Sequence, residues 1–394
     1  MIFIKKKFFP IWFIFIFLLI ASNVQYVVNV KYSFPEPHPF KGKYLYNPYR
    51  DIDTAKWQIS NFHAHTHKFP GGRKLIAGNT QYLDSLYTYL GYNVIGISDY
   101  QKINPYESKH AWYVPVYEHG YQYYKNHHLV LNAKKVSWLD YFFKQTLNNK
   151  QYVINQLKKD TSVVVTLVHP ILRAALSYND VKYLTNYNCL EVIDNKYLFL
   201  SFYDTILSNG HPVFLMADDD THNLKNLIET ASCFNIINTV PVRDSILLAL
   251  KRGQSFSVKF NLNKYRTNEA KKTGLANLPK LIDFNINNDT ISLGMNHIVK
   301  TIKFFGQEGI EKKSIDNTQT GSYFFTKEDT YIRTEIECLD GTLYFLNPVF
   351  RYNGILKVDP SPPIDFFKTW GCRSIILIIL ILGFIILYYK KVYV

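Results

Sequence analysis

Three histidines in five residues, His63-Ala64-His65-Thr66-His67, close a short strand-like run at 57–62. Successive side chains alternate faces on a strand, so His63 and His65 point the same way. Two imidazoles a pleat apart can chelate one metal ion, and neutral imidazole is the commonest protein ligand for zinc-like cations. Two solvated loop histidines would have the same spelling, so the motif needs company. Other apolar runs supply it. The run at 93–98 ends in Asp99, that at 162–168 in His169-Pro170, and that at 212–217 in Asp218-Asp219-Asp220-Thr221-His222, while the run at 188–193 carries Glu191. Asp99 or Asp220 alone could cap a helix. Ligand types at the ends of several strands ask instead for one shared site.

The elements that must position these groups alternate. Short apolar runs (93–98, 129–132, 162–168, 188–193, 212–217) are separated by helix-compatible stretches at 79–90, 138–159 and 197–209, and Gly91 and Gly210 stand where helices end. This rhythm predicts parallel βα units, and in a βα barrel the C-terminal strand ends assemble one mouth. One more amphipathic helix is expected at 243–253. Beyond 273 the pattern turns to β, with runs at 281–286 and 301–305 and a hairpin around Asp340-Gly341. The expected fold class is α/β: a barrel at 55–255, then a small β-sandwich-like module at 256–365 with a packing or spacer role.

Both ends are apolar. Lys5-Lys6-Lys7 precedes a nearly unbroken apolar stretch at 8–21, a signal peptide or signal anchor within 1–29. Ala21-Ser22 is followed by Asn23 and further apolar residues, a poor cleavage site, so an uncleaved anchor is expected. Residues 370–389 reach the roughly 20 residues that span a bilayer, and Lys390-Lys391 follow. Positive flanks stay cytoplasmic. Both ends are therefore expected inside the cell membrane, with residues 30–54 as an extended tether and the barrel outside the cytoplasm. The formal charge of +14 is scattered, with no basic helix and no zinc-finger spacing. That argues against nucleic acid and for the lipid bilayer and an anionic small-molecule substrate as partners. The four cysteines have no framework spacing and read as packing residues.

Over residues 55–255 these motifs resemble the PHP (polymerase and histidinol phosphatase) superfamily of metal-dependent phosphoesterases. Its opening His-x-His-Thr matches His63, His65 and Thr66. Its second motif, normally Asp-His, reads Asp99-Tyr100 here. Its bridging glutamate matches Glu118, the following histidine matches His128 (or His127), its His-Pro matches His169-Pro170, and its closing Asp-x-His matches Asp220-Thr221-His222. The resemblance implies a distorted (β/α)7 TIM-like barrel. It also implies a first divalent ion on His63, His65, Glu118 and Asp220, and a second on Glu118, His128 and His169. Mixed imidazole and carboxylate sites accept zinc, manganese or iron. A third ion stays open: Tyr100 replaces its usual histidine, His222 and Asp99 remain, and His67, two residues beyond His65, is the candidate substitute. Such ions activate a water and offset charge on phosphoryl oxygens. Asp99, His222 and Arg173 are then the candidate catalytic residues, with Arg173 a phosphate clamp and His222 a leaving-group acid. Arg73 and Lys74 are further candidate clamps. The expected function is a membrane-anchored, extracytoplasmic metal-dependent hydrolase, a phosphoesterase. The same chemistry would serve a non-phosphate ester, carbamate or amide, and a non-catalytic binding module is the reading from another class.

Overall fold

The computed structural model describes residues 24–26, 28–67, 79–194 and 197–392. The apolar stretch at 8–21, the Pro70-Gly71-Gly72 loop, Arg73 and Lys74 lie outside the described residues.

The chain is a mixed α/β protein. Its strands are β1 (Tyr44–Tyr46), β2 (Trp57–Asn61), β3 (Val94–Ile95), β4 (Val116–His119), β5 (His128–Leu131), β6 (Val164–Leu167), β7 (Cys189–Ile193) and β8 (Phe214–Ala217), then β9 (Cys233–Asn238), β10 (Ser255–Lys259), β11 (Leu281–Asn287), β12 (Thr290–Phe305), β13 (Glu311–Phe324), β14 (Tyr331–Glu337), β15 (Leu343–Leu346) and β16 (Val349–Tyr352). The helices are α1 (Thr80–Leu90), α2 (Leu147–Leu157), α3 (Tyr178–Tyr183), α4 (Leu200–Ser208), α5 (Arg243–Lys251), α6 (Asn268–Ala276) and α7 (Phe366–Val392).

Local chemistry explains the helix that follows the histidine motif. The Asn79 side chain caps α1 by accepting from the Tyr82 backbone N–H, and Leu83, Leu86, Tyr87 and Leu90 bury one face. Gly91 then ends the helix in the left-handed region at φ 95°.

One sheet runs β4-β5-β6-β7-β8, antiparallel across β4/β5 and β5/β6 and parallel across β6/β7 and β7/β8. The other runs β1-β16-β14-β15-β10-β9-β2-β3, and β12 hangs β11 and β13 on β14. Two isolated parallel bridges link the sheets: Ala64 with Thr221 beyond β2 and β8, and Tyr100 with Glu118. Hence β2, β4, β6, β7 and β8 point their C-terminal ends the same way, while β5 is reversed.

The expected strand–helix alternation is broken from β3 through β4 to β5, which follow one another without a helix, and at β8–β9. Residues 138–146 are irregular and only α2 forms within the stretch 138–159. The expected β-sandwich-like module is also corrected. β10 pairs with β9 on one side and β15 on the other, so the later strands extend the sheet that holds β2. The reason lies in β9: Cys233 and Ile237 pack into one core, and Phe234 and Ile236 into the other. A strand buried on both faces and bonded on both edges cannot be the border of an independent module.

Of the two apolar ends, α7 is described. Its window Phe366–Gly383 is long and apolar enough to cross a membrane and is almost wholly exposed.

Candidate metal centre

Five elements bring the ligand types together. His63 and His65 follow β2, Glu118 lies in β4, His127 precedes β5, His169 follows β6 and Asp220 follows β8. Nε2 of His65 lies 3.1 Å from Oε2 of Glu118 and 3.2 Å from Oδ1 of Asp220, and Nε2 of His63 lies 3.2 Å from the same Asp220 oxygen. The other Glu118 oxygen, Oε1, lies 2.5 Å from Nδ1 of His127 and 3.0 Å from Nε2 of His169. Glu118 thus divides its two oxygens between two ligand sets, His63/His65/Glu118/Asp220 and Glu118/His127/His169.

These residues fit a pair of divalent ions. Nε2 of His63 and Oε2 of Glu118 are fully buried and, although close to Asp220 and His65, make no well-aligned hydrogen bond among the described residues. Orphaned buried groups are costly, and a cation between them would satisfy both. The site backbone is strained as well: His169 and Asp220 sit at φ 32° and 45°, in the left-handed region that non-glycine residues avoid. A carboxylate on β7 restrains both ends of this arrangement. Glu191 Oε2 accepts from the His169 backbone N–H at 2.8 Å, and Oε1 lies 2.8 Å from Nδ1 of His63. That partner keeps a proton on Nδ1, so Nε2, once it gives up its own proton, would offer its lone pair to an ion in the cluster.

The position expected for His128 belongs to His127. His128 pairs with His119 in the β4/β5 ladder, their ring centroids 5.5 Å apart, and paired residues share a face. Glu118 faces the other way, with Leu129 and therefore with His127. Burial, and the imidazoles around it, push the His128 pKa well below the ordinary value.

Asp99, expected as a catalytic group, joins neither ligand set and braces the histidine loop. Its Oδ1 accepts from the backbone N–H groups of Thr66 (2.7 Å) and His67 (2.8 Å), and Asn104 donates to Oδ2 at 3.1 Å. Asp99 therefore shapes the histidine loop, because its neighbour Tyr100 takes the face toward the cluster. The Tyr100 ring stacks on His65 (4.4 Å between centroids, 11° between planes) and its hydroxyl lies 3.1 Å from Nε2 of His222. His222 reaches the rim of the cluster, where its Nδ1 lies 2.9 Å from the Asp220 carbonyl oxygen. His67 is half-exposed beside Asp99, at 3.0 Å, and joins neither ligand set. Arg173 is held by Tyr123, donating to its carbonyl at 3.3 Å with the guanidinium 4.5 Å from the ring centre.

In the run Asp218-Asp219-Asp220, only Asp220 joins the cluster. Asp218 accepts from the Phe62 backbone N–H at 2.6 Å, and Asp219 accepts from Tyr87 and from the Ala231 and Ser232 backbone. Glu191 was visible in sequence as a ligand type without a role. Its function appears only once β7 is placed beside β6.

Gly120 separates the second ligand set from a collision. At φ +120°, a Cβ there would stand 2.4 Å from Cδ2 of His127. Gly120→Ala is expected to displace His127, leave the first ion bound, and weaken the second by about 10–100-fold, the usual loss when support of a ligand is removed. Metal titration by calorimetry checks this, and two undisturbed binding steps would contradict it.

Burial opposes charge on His63, His65 and His169, but the facing carboxylates outweigh it. Asp220, Glu191 and Glu118 hold His63 well above the ordinary imidazole value, and Asp220 and Glu118 raise the other two. In chelated protein this stabilisation is complete below about pH 6.5 and is lost as pH rises through the raised values. Ions require neutral imidazoles, so affinity rises over the same window. Melting curves from neutral to alkaline pH should show the chelated protein losing Tm while the gap to ion-loaded protein widens. A chelated Tm that climbs with pH would contradict the assignment.

No protein-family model and no curated protein matches this chain. Among solved structures, a two-domain protein from Bacteroides vulgatus containing a predicted PHP-like metal-dependent phosphoesterase is similar at 10% identity, covering 80% of this chain and 100% of its own with a TM-score of 0.40. PsfC from Pseudomonas syringae is similar at 11% identity, covering 56% of this chain and 99% of its own, with a TM-score of 0.36.

Proposed function

We propose that this chain is a metal-dependent hydrolase acting on a phosphate ester, anchored in the cell membrane with its catalytic end outside the cytoplasm. In this reading β2 to β8 form the distorted (β/α)7 TIM-like barrel, closed by the bridges at Ala64–Thr221 and Tyr100–Glu118. The observation that carries it is the division of one buried carboxylate, Glu118, between two buried ligand sets. A pair of divalent ions bound there supplies a water of lowered pKa and positive charge opposite the phosphoryl oxygens.

The chain's own residues set the stage for that chemistry. Glu191 orients His63, and Tyr100 buttresses His65 by stacking. Lys125 sets its ammonium 5.1 Å from the Tyr100 ring centre, and its charge is felt at His127 of the second ligand set. With Arg173 it draws an anionic substrate to the mouth. His222, at the rim, is within reach of a leaving group. Its environment favours the neutral, proton-accepting imidazole, so it donates a proton only in the charged form that gains as pH falls. Its pKa lies below the ordinary imidazole value, chiefly through burial.

Elemental mass spectrometry of the full chain in detergent, beside a panel of phosphomonoesters and phosphodiesters, tests the reading. About two zinc, manganese or iron ions per chain with turnover of a panel member is the expected result. A folded chain that takes up none of these metals would overturn it and leave a binding module.

A further inference from the structure

The two ends of the described chain meet the domain at its catalytic end. Gln25 donates to the Asp140 carbonyl at 3.1 Å, and the Tyr26 hydroxyl donates to the Phe143 carbonyl at 2.6 Å. The Asp140 carboxylate in turn accepts from the backbone N–H groups of Tyr121 (2.8 Å) and Gln122 (3.2 Å), in the loop that runs from Glu118 to His127. One side chain therefore separates residue 25 from the loop that carries a proposed ligand.

The C-terminal linker arrives at the same end. Asp359 pairs with His211 just before β8 begins, at the end of the domain away from the cluster. The linker then climbs past Ser361, which accepts from Asn155 in α2, to a bridge between Ile364 and Tyr32. Tyr32 donates its N–H to Asn148, in the first turn of α2. Because α2 descends before β6 rises to His169, that first turn stands level with the cluster. Helix α7 starts there, with Thr369 accepting from the Lys31 backbone N–H at 2.9 Å and Arg373 donating to the Val28 carbonyl at 2.9 Å.

The surface around this junction carries the side chains that suit a membrane–water interface. Tyr123, Trp138 and Phe142 are 67%, 58% and 70% exposed. Lys125 and Lys144 lie among them, the latter 6.0 Å from the Tyr124 ring centre. Aromatic rings with interleaved lysines gain from the headgroup layer, where rings leave water and ammonium groups meet lipid phosphates. We propose that this surface rests in the headgroup layer of the bilayer that holds α7, and that the ligand cluster takes a phosphate ester borne by a lipid. The proposal rests on the anchored metallohydrolase reading above and narrows its substrate class.

Photo-crosslinking of the full chain in nanodiscs of phosphatidylcholine and phosphatidic acid tests it. Four variants are compared: Phe142→p-benzoylphenylalanine on the aromatic surface, Lys125→p-benzoylphenylalanine at the mouth, Phe324→p-benzoylphenylalanine on β13, and Ile378→p-benzoylphenylalanine in α7. Intact-mass analysis should find lipid adducts at 142 and 125 several-fold above those at 324. Adducts at 378 without any at 142 would overturn the docking. Adducts at 142 without any at 125 would overturn the lipid substrate, and protein adducts at 142 would assign the surface to a protein partner. Metal content of the same samples separates the two readings. Bound ions without lipid adducts leave the metallohydrolase standing, whereas lipid adducts without ions leave only the membrane surface.

Discussion

Glu118→Gln is expected to empty both ion sites at once and to lower hydrolysis by on the order of 10^3-fold or more. Glu118 is the residue common to both ligand sets, with one oxygen committed to each. Glutamine keeps the shape but loses the negative charge, and its amide nitrogen cannot ligate. Two cations facing mainly imidazoles would then repel each other with only Asp220 to offset them. The carboxylate's own pKa shows how strongly the site favours its charge. Burial pushes it up, yet His127 and His63 hold it well below the ordinary carboxylate range. His169→Ala, by contrast, touches only the second set and should leave one ion bound. Elemental analysis of the three proteins, with circular dichroism as a folding control, decides the matter. A Glu118→Gln protein that keeps both ions would refute the bridging role.

Asp204→Ala should cost about 3–5 kcal/mol of folding stability by stranding a buried guanidinium. Asp204 lies on α4, against the five-stranded sheet, and Arg333 lies on β14 of the larger one. Arg333 donates from Nε to Oδ1 at 2.7 Å and from Nη2 to Oδ2 at 2.9 Å, and the Tyr331 hydroxyl donates to Oδ1 at 3.1 Å. Both members of the pair are buried, so solvent does little to screen them. Removing the carboxylate leaves Arg333 with Glu335 as its remaining acidic neighbour. The double variant Asp204→Leu, Arg333→Met should recover much of the loss, because a packed apolar pair carries no desolvation penalty. Urea unfolding midpoints measure both effects. A loss for Asp204→Ala no larger than about 1 kcal/mol, the range of an exposed ion pair, would show that the bridge does not join the sheets.

Much of the site was legible from local rules. Strand alternation puts His63 and His65 on one face before any fold is known, and both approach Glu118 and Asp220, His63 at 3.5 Å from the Glu118 oxygen. The capping residue and apolar spacing define α1, and an unbroken apolar run defines α7. The order of strands and helices located the ends where His169 and Asp220 sit.

Tertiary structure decided everything that depends on which face is inward. Alternation says that one of His127 and His128 faces Glu118, but only the pairing of His128 with His119 sets which one. The same holds for Asp99 and Tyr100, and for Asp218, Asp219 and Asp220, where neighbours of like chemistry turn to different partners. Glu191 acquires its role from β6 and β2, and residues 256–365 acquire their sheet from β9, across separations no local window covers. The physical reason is shared by all these cases. Periodicity is a property of the backbone of one segment, whereas its phase and partners are set by hydrogen bonds and burial made with distant segments.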